Sequence, residues 1–353
     1  MKLLSFLHRW TGGLVGLVLA ILGLSGAILV WEDQWISLPH SNDPVVQDVA
    51  SLARIVDSAG PQLSRITFAH DGMSLHHLVF SDGSGAYVSQ AGATVARWQS
   101  EWARPELWLF DLHHHLFAGE TGEWVTGIAG IIGLLFLVTG LILWWRSRRA
   151  FRLRLLPRAW TPGPIVSHHR DIGALASPLL LLSLVTRLLM LFAPLRTTLL
   201  GNEDRPRVDA GIRVAARPDA LLAVAARQFP GAELRRLTFP KKATDPLTVR
   251  LRQPFEWTPN GRTQVGVEPG GALWIEDAAQ ANRSARASEK AYPLHSAKVG
   301  GLLWKLAMTL SGVALAMLGS FTTWSFWRRR VLKAASTQQP KSTKGSRAVP
   351  LAP

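Results

Sequence analysis

Eleven histidines occur in this 353-residue chain, and four of them stand in places related by an internal repeat. His8 and His169 each precede an Arg and head a long apolar run; His113 and His295 each lie just before another such run. The spacing from His113 to Trp145 equals that from His295 to Trp327, and Arg146 and Arg148 fall on Arg328 and Arg330 without a gap. Repeats of this kind fix an architecture before any residue-level detail does. Neutral imidazole is a good iron ligand, and facing helices of a bundle commonly build cofactor sites in their core. If the two copies pack about a pseudo-twofold axis along the membrane normal, His8 can face His169 and His113 can face His295. Each pair then supplies the two axial ligands of a b-type haem, whose potential axial ligation tunes. Two haems stacked across about 30 Å of hydrocarbon would carry electrons between the membrane faces. His114, His115 and His168 are substitutes for their neighbours, so the sequence leaves open which of the three consecutive histidines binds. His76 and His77 sit side by side on an expected strand and point to opposite faces, so they cannot line one site; both read as surface residues.

Four long apolar segments must hold these side chains: about Leu14 to Trp31, Val125 to Leu143, Ile172 to Leu195, and Leu302 to Phe326. Each is long enough to cross a bilayer as a helix. Trp144 and Trp145 followed by arginines are typical interfacial anchors. The first run could be mistaken for a cleaved secretory signal, but it continues to Trp31 and is too long for an ordinary signal core, so a retained helix is expected. Gly12, Gly16, Gly23 and Gly26 thin that helix, which suits close helix packing or a flat cofactor. Setting His169-Arg170 on His8-Arg9 also puts Gly173 on Gly12, Ser177 on Gly16, and Thr186-Arg187 on Ser25-Gly26. Arg187 interrupts an otherwise apolar run, where a charge marks function by default. It lies about 27 Å along the helix from His169. There it could meet the propionates of an outer haem or snorkel to the interface.

The net charge of +15 is not spread as a nucleic-acid patch. The link from Arg146 to Arg170 holds seven arginines and no acid, and the tail from Arg328 holds seven Lys or Arg and no acid. With Lys2 and Arg9 these account for the excess, which is the positive-inside pattern. Both termini and the link are therefore expected in the cytoplasm, and the two long loops on the other side. The absence of cysteine excludes disulfides, c-type haem attachment, thiolate-bound zinc and iron–sulfur clusters.

The expected organisation is a helix over 1–34, an outer module over 35–106, a histidine-bearing segment and helix over 107–146, and a basic link over 147–170. The second copy follows with a helix over 171–195, an outer module over 196–292, a histidine-bearing segment and helix over 293–328, and a basic tail over 329–353 that is disordered from Pro340. Both modules read as α+β. In the first, Val45 to Ala59 is helical, followed by strands at Leu63–Ala69, Leu75–Ser81 and Ala86–Ser89 between Asp-Gly turns. In the second, Asp219 to Gln228 is helical, followed by strands at Glu233–Phe239, Leu247–Arg252, Thr263–Val267 and Ala272–Ile275. QLSRITF at 62–68 lines up with ELRRLTF at 233–239.

LHRWTGGLVGL at 7–17, DLHHHLFAGETGEW at 111–124, HHRDIGAL at 168–175 and PLHSAKVGGLLW at 293–304 resemble the four recurrent blocks of the PepSY-associated transmembrane family. The resemblance spans most of the chain except the tail. It implies a bacterial inner-membrane protein with four transmembrane helices in two tandem repeats and two periplasmic PepSY-like modules. Some similar proteins are di-haem reductases that reduce ferric siderophores in the periplasm and release Fe(II). Carried over, it puts haem ligation on His8, His169, His113 and His295. The sequence has no phosphate-cradling glycine motif for a flavin or NAD(P), and the link is too short for such a domain. Electrons would come from a membrane quinol or a separate donor protein.

The expectation is thus a transmembrane di-haem ferric-siderophore reductase serving iron uptake, with membrane lipid around it and no nucleic-acid partner. Outer-sphere electron transfer needs no catalytic acid–base residue. One rival is a membrane-anchored PepSY regulatory or protease-inhibitor module without redox activity. A transporter ranks below both, because Arg187 is the one deep charge on any helix.

Overall fold

The computed structural model describes residues 2–38 and 40–338. The segment expected to be disordered, from Pro340, lies outside them. Helix α1 (Lys2–Leu29) leads into a short α2 (Glu32–Ser37). The first α+β unit then comprises α3 (Val49–Ser58), β1 (Leu63–Thr67), β2 (His76–Phe80), β3 (Gly85–Val88) and β4 (Thr94–Trp98). A short α4 (Pro105–His115) precedes α5 (Gly119–Ser147). The second half resembles this order, with β5 and α9 as an added strand and helix: α6 (Pro162–Leu191), α7 (Ala193–Leu200), β5 (Arg207–Arg213), α8 (Pro218–Gln228), β6 (Glu233–Thr238), β7 (Leu247–Arg252), β8 (Thr263–Val267), β9 (Ala272–Glu276), α9 (Arg283–Ser288), α10 (Ala291–His295) and α11 (Gly301–Gln338).

Among the described residues four helices, α1, α5, α6 and α11, are long and apolar enough to span a membrane. They form a closed ring in which α1 touches α11 and α5, and α6 touches the same two. The α1–α11 seam is a backbone contact. A Cβ on Gly16 would lie 2.9 Å from the Gly319 carbonyl oxygen, and one on Gly23 would lie 2.6 Å from that of Gly312. Without a hydrophobic drive between helices in lipid, such small-residue contacts supply the packing. The opposite seam, α5 on α6, is filled by side chains instead: Gly130 and Gly133 receive Leu188 and Leu184.

The strands make one nine-stranded antiparallel sheet, ordered β4-β3-β2-β1-β6-β7-β8-β9-β5. The two modules expected from sequence are joined edge to edge through β1 and β6, where Ile66 is opposite Leu237. These two residues are also equivalent in the QLSRITF and ELRRLTF alignment. An antiparallel pair centred on equivalent residues places a local twofold axis at the seam. Helices α3 and α8 lie side by side on one face, and their apolar residues share a core with Ile66, Leu78, Leu237, Val249 and Val265.

His76 is not a surface residue. It is fully buried, takes a hydrogen bond from the Ala69 N–H through Nδ1, and meets the edge of Phe68. Burial pushes its imidazole down to about 4, so it packs as a neutral ring. His77 points to the other face and rests against Tyr87 and Trp98. Amphipathic rings on a two-sided sheet find cover on both faces, which a single-strand reading cannot see.

Candidate functional site

The two ends of the helix ring each hold one pair of facing imidazoles. At one end, His8 on α1 and His169 on α6 have ring centroids 6.2 Å apart. At the other, next to the sheet, His113 at the end of α4 and His295 at the end of α10 have centroids 6.3 Å apart. Seventeen helical residues separate the level of His8 from that of Ser25, which contacts His113, a rise of about 26 Å.

The second nitrogen of each ring is held by a hydroxyl from a neighbouring helix. His8 Nδ1 meets Thr139 Oγ1 at 2.8 Å, and His169 Nδ1 meets Thr322 Oγ1 at 3.0 Å. His113 Nδ1 meets Ser25 Oγ at 3.0 Å, and His295 Nδ1 meets Thr186 Oγ1 at 3.1 Å. Each hydroxyl already donates its own proton to the carbonyl one turn back: Leu135, Leu318, Ile21 and Leu182 respectively. It therefore accepts from an Nδ1–H, and the Nε2 lone pair of each ring is left free. His295 adds a second proof, since its Nδ1 also lies 3.0 Å from the Ser183 carbonyl oxygen, which can only accept. Hydrogen bonding at one ring nitrogen in this way fixes the tautomer and orientation of a metal-ligating histidine.

The spacing suits a single metal between each pair. Metal–imidazole nitrogen bonds run to about 2.0–2.1 Å, so two rings whose centres lie 6.2–6.3 Å apart would be close enough to share one metal ion. Around His8 and His169 lies a cavity of about 730 Å³, lined by Gly12, Gly16, Gly133, Gly140, Phe136 and leucines, with Arg9, Arg329 and Arg330 at its edge. A largely apolar cavity of this size is a usual cofactor pocket. At this end the residues present fit a haem that His8 and His169 would hold.

A family model described as the PepSY-associated TM region matches residues 6–330. The chain belongs to that family. It is a multi-pass membrane protein carrying an α+β sheet unit. No curated protein matches it.

Within this PepSY-associated protein, the three consecutive histidines separate cleanly. His113 faces His295, whereas His114 stacks on Phe110 with centroids 4.1 Å apart and His115 pairs with Asp111 at 2.8 Å. His168 is buried against Phe321 and its Nε2 lies 3.0 Å from the Leu155 carbonyl oxygen, away from the His8–His169 pair. Two short helices aim the sheet-side histidines, His113 and His295. Helix α4 starts on Pro105 and ends at Leu116 and Phe117, whose φ values of 49° and 60° turn the chain into α5. The return is tight: Gly122 lies directly on the His115 carbonyl, where no Cβ fits. Ala297 (φ 55°), Gly300 and Gly301 make the matching turn between α10 and α11. Gly26 leaves room for the His113 ring, since a Cβ there would sit 2.8 Å from Cε1.

Arg187 turns inward. Its Nη2 donates to Thr126 Oγ1 on α5 at 2.9 Å, and Thr126 is itself tied to the carbonyl of His114. Among the described residues it has no carboxylate within ion-pair distance. The four hydroxyls were not marked as site residues in the sequence. One signal was present: Ser25 and Thr186 fall on each other in the repeat alignment.

Proposed function

We propose that this protein is a transmembrane reductase of ferric chelates, with one b-type haem held by His8 and His169 and a second by His113 and His295. In this reading it lies in a bacterial inner membrane as two tandem repeats, with both termini cytoplasmic and the sheet in the periplasm. The observation that carries it is the pair of imidazole couples, each at ligating separation with free Nε2 atoms, at opposite ends of one membrane-length bundle. The acid-free runs of arginine and lysine on the link and tail support the orientation, because positive charge accumulates on the cytoplasmic side.

A haem at each site supplies one-electron chemistry at an iron whose potential depends on its axial ligands and their hydrogen bonds. The protein's own residues set those terms. Thr139, Thr322, Ser25 and Thr186 hold the imidazoles in the ligating tautomer. Gly140 leaves room beside the His8 ring. The bundle keeps the two sites at fixed levels and excludes water between them. The proposed net step is the gain of one electron by an Fe(III) chelate at the sheet side, drawn from a membrane quinol or a separate donor protein. Hard oxygen ligands hold Fe(II) less tightly than Fe(III), so reduction of a ferric siderophore frees the iron for uptake.

The test is the optical spectrum of the purified protein, oxidised and dithionite-reduced, with haem quantified per chain. Two low-spin b haems per chain are the expected result. Absence of haem after expression with ample haem supply would remove the reductase reading and leave a membrane-anchored PepSY regulatory module.

A further inference from the structure

The sheet face opposite α3 and α8 carries a charge pattern that neither imidazole pair uses. Cross-strand partners form one continuous row from Tyr87 on β3 through His77, Thr67, Arg236 and Arg250 to Gln264 on β8. Residues directly opposite in an antiparallel sheet share a face. This face turns toward the helix ring, because Tyr87 lies in an apolar cluster with Ile36 of α2 and Leu107 of α4. Those two helices connect directly to α1 and to the His113 turn.

Arg236 and Arg250 are directly opposed, an arrangement of like charges that destabilises a sheet. Arg65 adds a third guanidinium on the same face, two residues before Thr67 on β1. Arg262, at the head of β8, is a fourth, and it lines a pocket of about 420 Å³ together with Tyr292, Leu189 of α6, Arg196, Arg205 and Glu203. Tyr292 stands one helical turn before His295. Nearby Arg196 and Arg205 are neutralised by Glu203 and Glu289. Among the described residues Arg65, Arg236, Arg250 and Arg262 have no carboxylate at ion-pair distance. The Nε atoms of Arg65 and Arg262 are buried without a hydrogen-bond partner. All four side chains are half-buried. Burial, followed by the neighbouring Arg65 and Arg250, pushes the Arg236 guanidinium down to about 10. His77 does not contribute charge: burial, followed by Arg65 and Arg236, pushes it down to about 4.

We propose that this arginine row is a binding site for an anionic metal chelate, one presenting several carboxylate or catecholate oxygens, held between the sheet and the His295 end of the ring. The site specifies the substrate class of the reductase and so rests on the function proposed above. Guanidinium forks match oxygen anions in geometry and charge. A ligand with several such oxygens would satisfy the opposed arginines together, whereas an uncharged chelate would leave them desolvated and unpaired.

Gallium(III) copies the size and charge of iron(III) but is not reduced under these conditions, so binding can be read apart from redox chemistry. The experiment measures binding of the gallium complexes of a tris-catecholate and of an uncharged tris-hydroxamate to the full chain. The protein sits in phosphatidylcholine nanodiscs, and haem content is recorded in parallel. The expected result is preference for the tris-catecholate by about tenfold or more, with loss of that preference in an Arg236→Gln/Arg250→Gln double variant. Arg54→Gln, on α3 beyond the opposite face, should bind as the wild type does. Removal of opposed like charges should leave thermal stability and haem content intact, which separates lost binding from misfolding. Equal binding of the two complexes, or unchanged preference in the double variant, would overturn the site. Competitive displacement by added phosphatidylglycerol would also overturn it, by assigning the arginines to a lipid headgroup. Retained anion preference in a protein without haem would leave the site standing while removing the reductase.

Discussion

The two imidazole pairs are nearly identical in separation and differ in what holds them. His8 and His169 sit within continuous membrane-length helices, α1 and α6, and face a large apolar cavity. His113 and His295 sit on the last residues of short helices, α4 and α10, each followed by a turn through left-handed backbone. Both pairs keep the same hydroxyl clamp on Nδ1. The comparison teaches that the clamp, not the supporting element, is the common requirement. It also locates adaptability: the sheet-side site can be re-aimed by its turns, while the far site moves only with the bundle.

Removing a ligand breaks the comparison most severely. His113→Ala or His295→Ala should halve haem content and abolish chelate reduction, while the His8–His169 haem remains bound and reducible by dithionite. His8→Ala should give the reciprocal loss. If both single sheet-side variants retain two haems per chain, the pairing is wrong.

Crowding tests the difference in support. Gly26→Val would drive a side chain into the His113 ring and should empty the sheet-side site selectively. At the far site Gly140 has more room, with a Cβ meeting His8 Cε1 at 3.4 Å, so Gly140→Ala should cost little haem. Equally small loss in the two variants would mean that the sheet-side turns absorb the added bulk.

The hydroxyl clamp should behave alike at both ends. Ser25→Ala and Thr322→Val each free one imidazole nitrogen, and loss of the hydrogen bond that holds a metal-binding ring costs about 10–100-fold in metal affinity. Haem retention during dilution would be measured for each, and an effect at only one end would show that the clamp is not shared.

Arg187 is the finest probe, because α1 has Gly26 where α6 has this charge. A nearby cation favours the reduced, less positive iron. Arg187→Gln should therefore lower the potential of the sheet-side haem by an amount on the order of tens of millivolts, consistent with a partly screened charge, and leave the other unchanged. A redox titration resolving both haems checks this; no shift would return Arg187 to a structural role with Thr126.

Much of this molecule can be read along the chain, because membrane helices announce themselves by local composition. The four spans and the histidines at or near each span needed only hydropathy and spacing. The strands β6, β7 and β8 likewise followed from alternating apolar residues. Local signals failed where two distant segments decide the outcome. Edge strands β4 and β5 were missed, since exposed strands carry little alternation. The burial of His76 was also missed, because α3 and α8 cover that face only after both modules have folded.

The sequence by itself determined that this is a four-span membrane protein with histidines near both ends of the spans, because burial in lipid dictates composition residue by residue. It also set Ser25 and Thr186 in equivalent positions. Only the tertiary structure chose His113 over its two neighbours, since three adjacent helical positions differ by about 100° of rotation and a partner helix must select among them. Only the pairing of β1 with β6 fused two modules into one sheet. That same pairing set Arg236 beside Thr67, in line with Arg250, because cross-strand neighbours are made by hydrogen-bond register and not by proximity along the chain.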